Sequence, residues 1–230
     1  MAWSRRGRLL SMVAVGLLLA GCVLGRGRGA QEPPASPAAP PGSGTAASDT
    51  FAGDVEAAIA VSEPYWKQRL GGSFRPVSRV IPYQRAGEVS CGGQPLGTNN
   101  AAYCSDGDFI AFDVRWAQQA YEQIGDAFIY YMLDHEYAHG VQVRLGTAYR
   151  FTIEQELQAD CMAGAVIGDS IRSGRLRLED GDLEELRTGL IAVADDPGQP
   201  WFAEGSHGSA RQRTNAFFAG YEDSLDACDL

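Results

Sequence analysis

His135, Glu136, Tyr137, Ala138 and His139 set two imidazoles and a carboxylate within five residues of a 230-residue chain that holds only three histidines. On an α-helix, residues four apart share a face one turn apart, so both imidazoles can reach one ion. Zinc suits that pair, because it accepts nitrogen and oxygen ligands tetrahedrally and a catalytic zinc keeps one position for water. A carboxylate at Glu136 then takes the proton as that water attacks a carbonyl, and passes it to the leaving amine. The chemistry this pattern points to is peptide hydrolysis with one zinc ion.

Such a motif works only on a helix. Ala127, Phe128, Tyr131, Met132, Ala138 and Val141 recur at helical spacing, with Gly125-Asp126 as a start signal and Gly146 as a stop. A third ligand has to come from elsewhere. The metzincin extension would need glycine and histidine at positions 142 and 145, where the chain has Gln142 and Leu145. Residues 151–172 read as a second helix that carries Glu154, Glu156 and Asp160. Glu156 and Asp160 are four apart, so Glu156 can bind the ion while Asp160 holds the far nitrogen of His135 and fixes its tautomer. Glu154 is the rival ligand, and its own partner four residues on is Gln158, a weaker orienter. A solvated helix face is the alternative for all three acids.

The stretches His-Glu-Tyr-Ala-His-Gly-Val-Gln (135–142) and Glu-Leu-Gln-Ala-Asp-Cys-Met-Ala-Gly (156–164) resemble the bacterial putative neutral zinc metallopeptidase family. His207-Gly208-Ser209, followed by Arg211, Arg213, Phe217, Phe218 and Gly220, resembles that family's C-terminal segment, so that the likeness spans roughly residues 80–222. It implies a gluzincin-like site with His135, His139 and Glu156 as zinc ligands, Glu136 as the catalytic acid and base, and Asp160 in support. The chain departs from the family pattern at Ala138, Gly140 and Phe217, none of which is an expected ligand. His207, between Gly205 and Gly208, is a candidate to stabilise the oxyanion of the transition state. Its alternative is a helix cap or a backbone contact at the surface, and Tyr149 is a second candidate for the oxyanion role.

The N-terminal region predicts where this chemistry happens. Arg5, Arg6 and Arg8 precede a run of mainly apolar residues from Leu9 to Ala20, too short for a membrane span and suited to a signal peptide over 1–21. Leu19-Ala20-Gly21-Cys22 resembles a bacterial lipobox, which makes Cys22 the expected lipidated N-terminus and a membrane the expected partner through acyl chains. Ser4-Arg5-Arg6 fits twin-arginine export, with Sec export as the alternative. Gly25 to Ser48, rich in Gly, Ala, Pro and Ser, reads as a disordered tether within 22–50, ahead of one catalytic domain at 51–230. The expected location is the outer face of a bacterial membrane, or a secreted soluble form.

An exported chain can oxidise its cysteines. Cys91 and Cys104 flank a Gly/Asn-rich loop and suit a local disulfide, which leaves Cys161 and Cys228 to tie the ligand-bearing helix to the C-terminal region. Cys161 lies about 100° around the helix from Asp160, off the zinc face.

The charge balance excludes other partners. The chain carries 19 basic and 29 acidic side chains, and without the three signal arginines the net charge is −13, which disfavours nucleic acid or anionic lipid. Short strands are expected at Val77–Pro82 and Phe109–Val114, the second leading into a helix from Arg115 to Ile124. Ile110 to Phe112 is the candidate strand to line the cleft and pair with substrate, with an ordinary buried strand as its alternative. Helices are expected at 55–69, 180–194 and 208–223, giving an α+β, predominantly helical, zincin-like domain with a small strand region before the active-site helix. The function expected is a membrane-anchored zinc endopeptidase acting on polypeptide outside the cytoplasm. A non-catalytic zinc-containing envelope protein and a hydrolase of cell-wall amides are the alternatives.

Overall fold

Thr50 begins helix α1 (Phe51–Leu70), its side-chain oxygen accepting from Gly53 N at 3.2 Å, which is why the helix starts four residues before the apolar pattern does. The structure, a computed structural model, describes residues 50–230. The expected signal peptide, Cys22 and the tether through Ser48 lie outside the described residues. No helix among the described residues is long and apolar enough to cross a membrane.

After α1 the chain lays down strands β1 (Arg79–Tyr83), β2 (Ser90–Cys91), β3 (Gln94–Pro95), β4 (Ala101–Cys104) and β5 (Phe109–Asp113). β5 is central, parallel to β1 and antiparallel to β4. Pro82 is tolerated because β1 is an edge strand. β2 and β3 form a separate two-stranded hairpin whose turn, Gly92-Gly93, has positive φ at both residues. The stretch between Cys91 and Cys104, which reads as a loop, is thus partly strand, and the Cys91–Cys104 disulfide ties the hairpin to the end of β4.

Asp113 closes β5 and caps helix α2 (Val114–Gln123), accepting from Arg115 N at 3.0 Å and Trp116 N at 3.4 Å. Helix α3 (Ala127–Leu145) runs between the expected signals: Gly146 ends it in the left-handed conformation and returns its N–H to Gln142 O. The α3 N-terminus is capped from a distance, by Glu185 Oε2 accepting from Ala127 N. α3 is buried on nearly every side, packing against α1, β4, α4 (Thr152–Arg172) and α5 (Asp182–Ala192). A helix apolar all round belongs in a core, and Trp66, Phe112, Phe128, Ile129, Leu133 and Tyr137 fill this one. The domain is α+β and predominantly helical, as expected.

One strand expectation is overturned. β5 is hydrogen-bonded on both sides, and Ile110, Ala111 and Phe112 are buried in the core. No substrate can pair with it, and the open edges of the sheet belong to β1 and β4.

Helix α6 (Ala210–Asp223) lies directly on α4. Gly164, Gly168 and Gly220 make that approach necessary to the sequence, because a Cβ at Gly220 would fall 1.9 Å from the Cys161 carbonyl oxygen and one at Gly164 would fall 2.0 Å from that of Phe217. The Cys161–Cys228 disulfide fastens the same pair of elements through the turn that follows α6. Gly220→Ala is expected to destabilise the domain by about 1–3 kcal/mol through overpacking, read as a lowered thermal midpoint. An unchanged melting curve would show that the two helices do not need to touch backbone to backbone.

Candidate metal centre

His135 and His139 point from one face of α3 toward Glu156 of α4. His135 Nε2 lies 3.2 Å from His139 Nε2 and 3.2 Å from Glu156 Oε2, and His139 Nε2 lies 3.5 Å from Glu156 Oε1. A tetrahedral zinc with bonds near 2.0–2.1 Å sets its ligands about 3.3 Å apart, so the two imidazole nitrogens and the Glu156 carboxylate already stand near the corners of such a polyhedron. Two imidazole lone pairs facing each other beside a carboxylate ask for a shared cation. The donor set fits zinc, and these three residues form a group able to hold a metal ion. Glu154 is turned away, with its carboxylate accepting from Arg150 N at the exposed start of α4.

Each histidine is oriented through its other nitrogen. His135 Nδ1 stands 2.9 Å from Asp160 Oδ1, at ion-pair distance though off the line of an ideal hydrogen bond. An acceptor-only carboxylate there favours the tautomer with its proton on Nδ1, which leaves Nε2 to a metal. His139 Nδ1 lies 2.8 Å from Gln142 Oε1, with the same consequence.

Asp160 is wholly buried, and its support is a side chain that motif reasoning left without a role. Arg213 of α6 forks onto it, Nε to Oδ2 and Nη2 to Oδ1, both at 2.9 Å. The Tyr131 hydroxyl donates to Oδ1 at 2.8 Å and accepts from Arg213 Nη2 at 2.8 Å. Arg213 also donates to the Val193 carbonyl, so that α6 is held to the end of α5. Burial alone would push the Asp160 carboxyl up, but Arg213 and His135 hold it below its ordinary range. Burial likewise opposes ionisation of Glu156, and hydrogen bonds from His135 and His139 overturn that and drive it well down. For His135, desolvation favours the neutral ring and is outweighed by Asp160 and Glu156, which raise its pKa. These directions follow from the histidines and Arg213 standing against the two buried carboxylates.

Glu136 sits beside the pair on the cleft side. Its Oε2 accepts from Tyr103 N of β4 at 2.7 Å, so the edge strand fixes the carboxylate. A cleft of about 710 Å³ opens over this group, of a size that suits a small-molecule or peptide ligand. Asn100, Ala101 and Tyr103 line one wall, and Trp116, Phe128 and Met132 line an apolar end.

His207 lies on the rim of that cleft with its side chain 52% exposed, and Asp195 holds it, accepting from His207 N at 3.1 Å. Tyr149 does not reach the cleft: its hydroxyl donates to Gln158, and it lines a separate hollow with Thr147 and Phe151. Cys161 is in its disulfide and takes no part in the site.

The family model described as putative neutral zinc metallopeptidase matches residues 9–230. Among curated proteins, the uncharacterized protein Rv2575 of Mycobacterium tuberculosis is 29% identical over 201 residues, covering 72% of this chain and 67% of that protein. The uncharacterized protein YpfJ of Escherichia coli is 28% identical over 193 residues, covering 71% of this chain and 65% of that protein. No solved structure matches the chain. Arg213→Met, which takes the forked guanidinium from buried Asp160 and leaves it Tyr131 and His135, is expected to lower stability by about 3–5 kcal/mol in a denaturant titration. A loss under about 1 kcal/mol would mean that Arg213 is not what sustains that charge.

Proposed function

Because the chain belongs to the putative neutral zinc metallopeptidase family, we propose that it is a peptidase in which His135, His139 and Glu156 hold one zinc ion and Glu136 is the general base and acid. The observation that carries this reading is the convergence of three donor side chains at 3.2–3.5 Å with Glu136 beside them in the lining of a cleft. Zinc bound there supplies a Lewis acid for a water and for the scissile carbonyl.

The chain's own residues do the rest. Glu136 takes the water's proton on its oxygen and returns it to the departing amine, and the Tyr103 amide keeps that carboxylate in place between the two transfers. Strand alternation turns the N–H and C=O of Ala101 to the same side as those of Tyr103, away from β5. An extended peptide can therefore add to β4 along its open edge. Three side-chain donors leave one coordination position to water, whereas a structural zinc is closed by four protein ligands. His207, which lines the cleft, is the candidate donor to the oxyanion in this reading. The reading includes export and attachment to the outer face of a bacterial membrane through Cys22, on the strength of the leader and lipobox pattern alone.

Glu136→Gln is expected to retain one equivalent of zinc and to lose about 10²–10⁴-fold in cleavage rate on any protein substrate the wild type cuts. Equal activity would refute the general-base assignment. The apolar end of the cleft should show as a preference for Leu, Phe or Met beside the cut bond. Mass-spectrometric profiling of a digested peptide library checks this, and a flat profile would remove the apolar end from substrate recognition.

A further inference from the structure

Gln142 is buried at the last turns of α3, 1% exposed, and every polar atom of its side chain has a partner. Its Oε1 meets His139 Nδ1 at 2.8 Å, and its Nε2 donates to the Gln155 carbonyl at 2.9 Å and to Gln158 Oε1 at 3.1 Å. Gln158 continues the line: its Nε2 donates to the carbonyls of Cys228 at 3.0 Å and Asp229 at 2.9 Å. We propose that Gln142 and Gln158 are positioning residues that hold His139 with Nδ1 protonated and Nε2 available to metal, and that the backbone of Cys228 and Asp229 sets the direction of the whole relay. The proposal rests on the reading of His135, His139 and Glu156 as a zinc centre.

Direction is the substance of it. An amide side chain can be reversed end for end, and a neutral imidazole can carry its proton on either nitrogen. Backbone carbonyls have no such freedom, because they only accept. Two of them at Cys228 and Asp229 oblige Gln158 to present its NH2 to them and its oxygen to Gln142. The Gln155 carbonyl adds the same demand on Gln142, whose NH2 must face α4. Its oxygen is then left to His139, where only an N–H can meet it, and the lone pair is confined to Nε2 on the metal side.

The reference carbonyls are themselves tied down. Cys228 is bridged to Cys161 in the middle of α4, one turn of helix from Gln158. Opening that bridge loosens the segment from which the relay takes its direction, although neither sulfur lies in the metal centre. The Cys161–Cys228 bridge is thereby coupled to metal affinity through Gln158.

Zinc affinity measured by chelator competition on the full chain tests the proposal. Gln142→Leu should weaken binding about 10–100-fold, the range for losing the partner of a ligand histidine. Gln158→Leu should weaken it less, and the double variant should lose no more than Gln142→Leu alone, since both act on one bond. Gln142→Glu keeps an acceptor toward Nδ1 but sets its other oxygen against the Gln155 carbonyl and Gln158 Oε1, so its affinity should fall between those of the wild type and Gln142→Leu. Ring-nitrogen NMR shifts of His139 in the metal-free protein should show a single tautomer in the wild type and a mixture in Gln158→Leu, a readout that a purely structural role would not move. Replacing Cys161 and Cys228 together with serine should weaken zinc in the wild-type background and add nothing to Gln158→Leu.

Wild-type affinity in Gln142→Leu, multiplying losses in the double variant, or an unaltered tautomer in Gln158→Leu would each overturn the relay while leaving the zinc centre standing. Should Gln142→Leu fail to fold, the half-buried Gln158 decides the matter alone. A wild-type chain that binds no zinc would instead remove the metal reading and the relay with it.

Discussion

Asp160 places a carboxylate where water does not reach, and the rest of the domain is arranged to make that tolerable. An isolated buried charge costs several kcal/mol after relaxation, so the group survives only with close and well-directed partners. It has them from two other helices: the forked guanidinium of Arg213 from α6, and the Tyr131 hydroxyl and His135 imidazole from α3. The charge is satisfied only once all three helices are docked. Docking of the C-terminal helix and placement of His135 are therefore linked through one carboxylate, although fifty-three residues separate Asp160 from Arg213.

The close contact of α4 with α6 follows from the same requirement. A guanidinium can fork onto a carboxylate at 2.9 Å only if the helices bearing them come together, and Gly164, Gly168 and Gly220 remove the side chains that would hold them apart. On the opposite side of α3 the constraint is lighter. There β4 needs only to present one amide, Tyr103 N, to Glu136, and a four-residue strand suffices because β5 and the Cys91–Cys104 bridge keep it in line.

What was legible in the sequence divides along the range of the interactions. The limits of α3 were readable because Gly125 and Gly146 flank an unbroken apolar pattern, and the pairing of Glu156 with Asp160 was readable because both lie on one helix. The disulfide partners followed from there being four cysteines past Cys22, with one evident local pair. β4 was not readable: Ala101–Cys104 has no alternation, and it is a strand because β5 pairs with it. Ile110 to Phe112 misled for the converse reason, since a central strand covered on both faces is as apolar as one flooring a cleft. Arg213 and Gln142 stood inside recognisable motifs without a role, because what they touch is set by docking and not by spacing. The leader, Cys22 and the tether lie outside the described residues.

Helix α4 is the common reference for everything around the metal position. It supplies Glu156 directly, it orients His135 through Asp160, and it orients His139 through Gln142, whose amide is directed by the Gln155 carbonyl and by Gln158. A helix advances about 100° per residue, so a slip of one residue in its register would turn all of these groups from α3 at once. The short α3–α4 connection resists such a slip through Tyr149, which donates to Gln158, and Arg150, whose N–H donates to Glu154. The register is also held at the middle of α4, by the Arg213 fork at Asp160 and, one residue on, by the bridge from Cys161 to the segment that Gln158 grips. The elements that look furthest from the site, α6 and the residues after it, thus help to hold His135, His139 and Glu156 in one register.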